Sequence, residues 1–157
     1  MDTGIFQSKS SGSVANVNNS ATIQIESSTL SVGSFLQTAG TTQIATGAIL
    51  ANSATFTLNG GSLQGGGNIT GTVQQNSGVI YPGGLYSIGK LYIQHWLLSN
   101  GTIQIDCSSQ SLYDQLIAGD VNFANGSISL VFINGFLPSN DTVLSSVIQG
   151  TITGNSR

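Results

Sequence analysis

Hydrophobic and polar residues alternate along this chain in short bursts that break at glycine. Ala21 to Ile25, Ala54 to Leu58, Lys90 to Gln94, Thr102 to Asp106 and Ser127 to Phe132 set Ile, Leu, Val or Phe at every second position. Thr, Ser and Gln fill most of the positions between. A period of two in segments rich in β-branched residues predicts strands with one buried face. The bursts end at Asn59-Gly60-Gly61, Gly65-Gly66-Gly67, Asn76-Ser77-Gly78, Pro82-Gly83-Gly84, Asn100-Gly101 and Asn125-Gly126. Gly and Asn tolerate the positive φ of tight corners. No helix-length amphipathic stretch carries caps at both ends.

The breaks keep a beat. Glycines close successive segments at positions 40, 60, 78, 101, 126 and 150, and a similar phrase follows most of them. It reads Thr41-Thr42-Gln43-Ile44, Ser62-Leu63, Thr102-Ile103-Gln104-Ile105, Ser127-Ile128-Ser129-Leu130 and Thr151-Ile152. Self-similarity at a period of roughly 20 residues marks a solenoid, in which each unit buries its apolar face only against its neighbours. A sandwich of hairpins would also use Asn-Gly turns. The near-constant beat and the like-over-like echo of 22–25 at 102–105 favour a single-stranded parallel β-helix of about six coils. Residues 1–20 read as a polar N-terminal segment, frayed or truncated. Residues 21–157 read as the β-solenoid domain, with short coils over 21–78 and a wider capping module over 79–150, where Trp96, Phe123, Phe132 and Phe136 collect.

Composition narrows the role. Charged residues are 6% of the 157-residue chain, against about 25% in an average soluble protein. Lys9, Lys90 and Arg157 are the only cations, too few and too scattered to neutralise a run of phosphates or to form a polybasic membrane patch. No nucleic-acid partner is therefore expected. No apolar run approaches the ~20 residues of a spanning helix. Met1 to Val14 lacks the apolar core of about 7–15 residues of a secretory signal. Cys107 is the single cysteine, which excludes an intrachain disulfide and reads as a small buried hydrophobe.

Little here suggests catalysis. His95 is the only histidine, no nucleophile motif accompanies it, and it reads as a packed or surface imidazole. One His and one Cys do not supply a zinc site. Asp106, Asp114 and Asp120 form the only acidic cluster in sequence. Paired carboxylates could cleave a glycosidic bond. However, almost no Lys or Arg is present to hold an acidic sugar, and Asp114 and Asp120 are expected to flank a turn. Calcium on these three lacks a repeated Asp motif to support it. Gly65-Gly66-Gly67 lacks the Gly-Lys-Ser/Thr of a phosphate loop and reads as a corner. Thr55-Phe56-Thr57 and Thr151-Ile152-Thr153 suggest the Thr-x-Thr rows of ice-binding solenoids, but the motif does not recur coil after coil. Asn18, Asn68, Asn100, Asn125 and Asn140 open glycosylation sequons. No catalytic residue, cofactor or metal is assigned.

Three segments carry a family resemblance. They are Gly60-Gly61-Ser62-Leu63-Gln64-Gly65-Gly66-Gly67-Asn68-Ile69, Asn76-Ser77-Gly78-Val79-Ile80-Tyr81-Pro82-Gly83 and Ile88-Gly89-Lys90-Leu91-Tyr92-Ile93. In this order they resemble the passenger-associated repeat of bacterial autotransporters. Gly101 to Asp106, Tyr113 to Leu116, Gly126 to Leu130 and Asn134 to Pro138 resemble the module that follows it, so the likeness spans about 35–150. Tyr81 stands where the family has Ser before Pro-Gly. The resemblance implies a right-handed β-helix displayed outside a cell. No barrel sequence lies within these residues, so self-secretion is not assigned.

Together these readings predict a non-enzymatic extracellular or cell-surface protein: a β-helical adhesin, wall or filament building block. Its expected partners are further copies stacked through the solenoid ends and a cell-surface glycan or protein. The alternative is a carbohydrate-binding or carbohydrate-processing β-helix with Tyr81, Tyr86, Tyr92 and Trp96 as stacking platforms. An ice-binding solenoid is a further alternative.

Overall fold

The computed structural model describes residues 5–153, and those residues form strands, turns and loops with no helix. Strands β1 (Ile5–Ser8), β3 (Thr22–Ile25), β5 (Thr41–Ile44), β7 (Ser62–Gly65), β9 (Val79–Pro82), β11 (Thr102–Cys107) and β13 (Ser127–Phe132) form sheet A in that order. Strands β2 (Gly12–Asn19), β4 (Thr29–Gln37), β6 (Ile49–Leu58), β8 (Asn68–Gln75), β10 (Lys90–Leu98), β12 (Gln115–Phe123) and β14 (Ile148–Thr153) form sheet B. The chain thus alternates between sheets, and each strand pairs in parallel with the strand one coil away. This winding is a β-solenoid of about six turns. Hairpins would have paired sequence neighbours antiparallel; among the described strands none does so.

Register turns the alternation into columns. In sheet A, Ile23, Thr42, Leu63, Ile80 and Ile103 stack inward. In sheet B, Val17, Phe35, Phe56, Val73, Trp96 and Val121 do the same. Phe35 and Phe56 stack with ring centroids 4.5 Å apart, and Trp96 meets Phe123 edge-on at 5.3 Å. Each fully buried Leu, Ile, Val or Phe contributes about 1.5–3 kcal/mol, so the columns hold the rod together without ion pairs. Halfway along, sheet B shifts register, as between Val32 and Phe35 and between Ile93 and His95. The chain turns there, and backbones crowd: a Cβ on Gly33 or Gly71 would lie 2.2 or 2.1 Å from a carbonyl oxygen of the coil below.

The corner from sheet B to sheet A explains most of the glycine beat; Gly61 and not Gly60 takes the positive φ there, and Gly150 lies instead within β14 of sheet B, so Thr151-Ile152 is not a sheet A strand. Gly40, Gly61, Gly78, Gly101 and Gly126 all have positive φ and sit one above another. A Cβ on Gly61 would meet the Gly40 carbonyl oxygen at 2.2 Å, and one on Gly78 the Gly61 oxygen at 2.7 Å. Only glycine meets both demands, positive φ and backbone contact. The opposite corner is free to grow. Sheet A partners lie 17 residues apart at Gln7 and Gln24 but 25 apart at Thr102 and Ser127. The added length goes into loops 83–89, 108–114 and 133–147, which agrees with wider C-terminal coils.

Three expectations are corrected. Residues 5–19, placed in a frayed polar segment, form the first coil. The backbone ladder to β3 and β4 secures it, helped by Ser8 Oγ within 3.2 Å of Ser28 Oγ and by Asn19 Nδ2 donating to Thr42 Oγ1 at 3.2 Å. Phe6 and Val17 also continue the inward columns below Ile23 and Phe35. Asp120 sits within β12 and not at a turn, while Asp114 precedes that strand. Trp96 is fully buried, taken up by the core column, so it offers no surface for stacking. Residues 1–4 and 154–157 of the predicted segments lie outside the described residues.

Candidate functional site

The outer face of sheet A carries two ordered polar columns. One runs Thr22, Thr41, Ser62, Val79, Thr102 and Ser127. Its neighbour runs Gln7, Gln24, Gln43, Gln64 and Tyr81, then resumes with Gln104 and Ser129. Side chains bond along the columns. Gln7 Nε2 donates to Gln24 Oε1 at 2.8 Å, and Gln24 Nε2 to Gln43 Oε1 at 3.3 Å. Thr41 and Ser62 hydroxyls lie 3.0 Å apart, and those of Thr102 and Ser127 2.9 Å. Identical polar groups at strand spacing form such ladders, whereas charges there would repel. These columns contain no Asp, Glu, Lys, Arg or His. The recurring unit is not Thr-x-Thr but a hydroxyl followed two residues later by an amide, as in Thr41-Thr42-Gln43 and Thr102-Ile103-Gln104.

Buried polar side chains anchor the face from behind. Thr42 points inward in a column of Ile and Leu and is paid for by partners: its hydroxyl donates to Gln37 Oε1 at 2.6 Å. Gln37 Nε2 donates to the Gly40 and Ser62 carbonyls at 3.2 and 2.8 Å. Gln75 repeats the device two coils on, donating to Gly78 and Thr102 carbonyls at 3.2 and 3.1 Å. Each glutamine ties the glycine corner to the first residue of a sheet A strand.

The predicted aromatic platforms do not converge. Tyr81 lies half-buried in the amide column, Tyr92 is exposed on sheet B, and Tyr86 is 66% exposed on loop 83–89 with φ 58°. Leu85, Leu112, Leu137 and Val143 are also exposed on the long loops. These loops form a layered ridge: Asn134 Nδ2 donates to Ser108 Oγ at 3.1 Å, and the Tyr113 hydroxyl to the Ser145 carbonyl at 2.5 Å. The five sequon asparagines, Asn18, Asn68, Asn100, Asn125 and Asn140, are all exposed.

The acidic cluster splits. Asp120 is on the outer face of sheet B, bonded to His95 Nδ1, with both side chains well exposed. In that outward row Thr55, Thr72, His95, Asp120 and Thr151 are register neighbours. Asp106 and Asp114 are buried together. Asp114 Oδ1 accepts from the Gly89 amide at 2.8 Å and Oδ2 from the Asp106 amide at 2.9 Å, which pins loop 83–89 to the coil above. Burial pushes the Asp114 carboxyl up to about 7, the Asp106 charge adding to it against the two amide donors. Burial, with Asp114 and Asp106 beside it, also raises the Cys107 thiol. A protonated, buried thiol is a packing group with little nucleophilic character. Among the described residues no group of three His, Cys, Asp or Glu side chains is arranged to hold a metal ion. No family model, curated protein or solved structure matches this chain.

Proposed function

We propose that the protein is a non-enzymatic structural or adhesive β-solenoid that acts outside the cell, with the outer face of sheet A as its contact surface. The observation that carries this reading is the uncharged hydroxyl and amide array, held in register over successive coils by its own hydrogen bonds. A stiff backbone ladder fixes these groups before contact, so little conformational entropy is lost on binding. Amides and hydroxyls both donate and accept, which suits a glycan or a polar protein surface. The low charge suits a partner that salt does not displace. Exposed sequons at several coils fit a surface glycoprotein.

The test is attachment. Beads coated with the protein are counted on films of cell-wall polysaccharide and of extracellular matrix protein. A variant with Gln24→Lys, Gln43→Lys and Gln64→Lys is expected to lose attachment about tenfold, equivalent to about 1.4 kcal/mol. A control with Thr57→Lys, Gln74→Lys and Asn122→Lys, on outward positions of sheet B, is expected to keep it. Equal loss in both variants, or attachment to neither film by the wild-type protein, counts against the reading.

A further inference from the structure

We propose that β1 of one copy adds in parallel to the free edge of β13 of another, so that the protein polymerises head to tail. The inference rests on the two ends of the solenoid and is independent of the adhesive face. Among the described residues, β13 and β1 are the outermost strands of sheet A, and β14 and β2 those of sheet B. Edge strands present unpaired backbone donors and acceptors and invite strand addition.

Both ends expose side chains that the register places in the core columns. At the C-terminal end Ile128, Leu130 and Phe132 are 50%, 47% and 44% exposed. They floor an open groove of about 600 Å³ whose other wall is loop 133–147, through Pro138, Thr142 and Val143. At the N-terminal end Phe6 is 51% exposed. Each inward column runs from one end to the other: Phe6 underlies Ile23, and Ile128 tops Ile103. One more parallel step sets Phe6 of a second copy on Ile128, inside the groove, and Gln7 beside Ser129, continuing the amide column. In sheet B, Ile152, 65% exposed above Val121, would meet Val17, which underlies Phe35.

A second copy is the occupant that fits, because it presents both edges at the same spacing and in the same chain direction. After β14 the spiral next calls for a sheet A strand, and β1 is that strand. The two surfaces differ, so the interface is heterologous and builds open filaments unless its rotation closes a ring.

Sedimentation of the full chain over a concentration series tests it. The wild-type protein is expected to rise in average mass with concentration. Phe6→Asp, which blocks one end, and Ile128→Lys, which blocks the other, are each expected to remain monomeric. Mixed in equal amounts, they retain one intact end each and are expected to stop at a dimer. As a readout that leaves packing untouched, Gln7→Cys mixed with Ser129→Cys is expected to give a disulfide-linked dimer on mild oxidation. A wild-type protein that stays monomeric at high concentration overturns the proposal. So does a mixture of blocked variants without dimer, or a cysteine pair that does not cross-link. None of these results bears on bead attachment, so the two readings fail separately.

Discussion

A few residues decide whether coils can stack. At Gly61, φ is +71° and the space for a Cβ is taken by the Gly40 carbonyl oxygen. Gly61→Ala is expected to destabilise the protein by about 1–3 kcal/mol, the range for a side chain forced into a sparsely allowed conformation. Urea unfolding measures it. Gly12→Ala, where nothing lies within 4 Å, is expected to change stability by less than about 0.5 kcal/mol. Gln37 works through hydrogen bonds. Gln37→Ala leaves the Thr42 hydroxyl, the Ser62 carbonyl and the Gly40 carbonyl short of a partner, an expected loss of about 1–3 kcal/mol. An unchanged urea midpoint would remove Gln37 from the corner account.

Strands and loops are where sequence and structure agree unevenly. The alternation in Thr22-Ile23-Gln24-Ile25 and its echo at Thr102 specify both the strand and its inward face, because a period of two allows only one burial pattern. The glycine beat locates one corner for the same kind of reason, since positive φ leaves few other choices. The first coil was not legible: Ser8 and Asn19 interrupt the inward set that Phe6, Val14 and Val17 carry, and backbone pairing to the next coil is a long-range fact. His95 and Asp120 were read apart, though a parallel register makes them neighbours across a separation of 25 residues. The site lay in sequence in plain view as Thr22-x-Gln24, Thr41-x-Gln43, Ser62-x-Gln64 and Thr102-x-Gln104, but only register aligns these units into columns.

Loop 83–89 brings a pH dependence to the wide end. Asp114, which bonds the Gly89 and Asp106 amides, is raised from 3.8 to about 7. Between those values the unfolded chain gives up a proton that the folded chain keeps. The contribution of Asp114 to stability is therefore greatest below about pH 4, falls as pH rises to about 7 and is level above that. Thermal unfolding of wild type and Asp114→Asn across this range measures it, and the stability of wild type minus that of the variant is expected to fall as pH rises from about 4 to about 7. A difference that grows with pH would contradict the assignment.

For the whole molecule, rigidity, contact face and polymer ends are consequences of one arrangement. Side chains 17 to 25 residues apart in sequence lie at neighbouring positions in a sheet. The core gains like-over-like packing, the outer face gains aligned hydroxyls and amides, and the final strands are left as templates. A different register would remove all three together, because a slip of one residue turns the inward set outward.

Distances between paired spin labels on the hydroxyl column test that arrangement most directly. Thr22 and Thr102 are four strands apart in sheet A, and Thr22 and Ser127 five. At a strand spacing of about 4.8 Å, backbone separations of about 19 and 24 Å are expected. The label distances should rise by one such step from the first pair to the second, in a single narrow distribution each. Broad distributions, or a Ser127 pair no longer than the Thr102 pair, would contradict stacking in register.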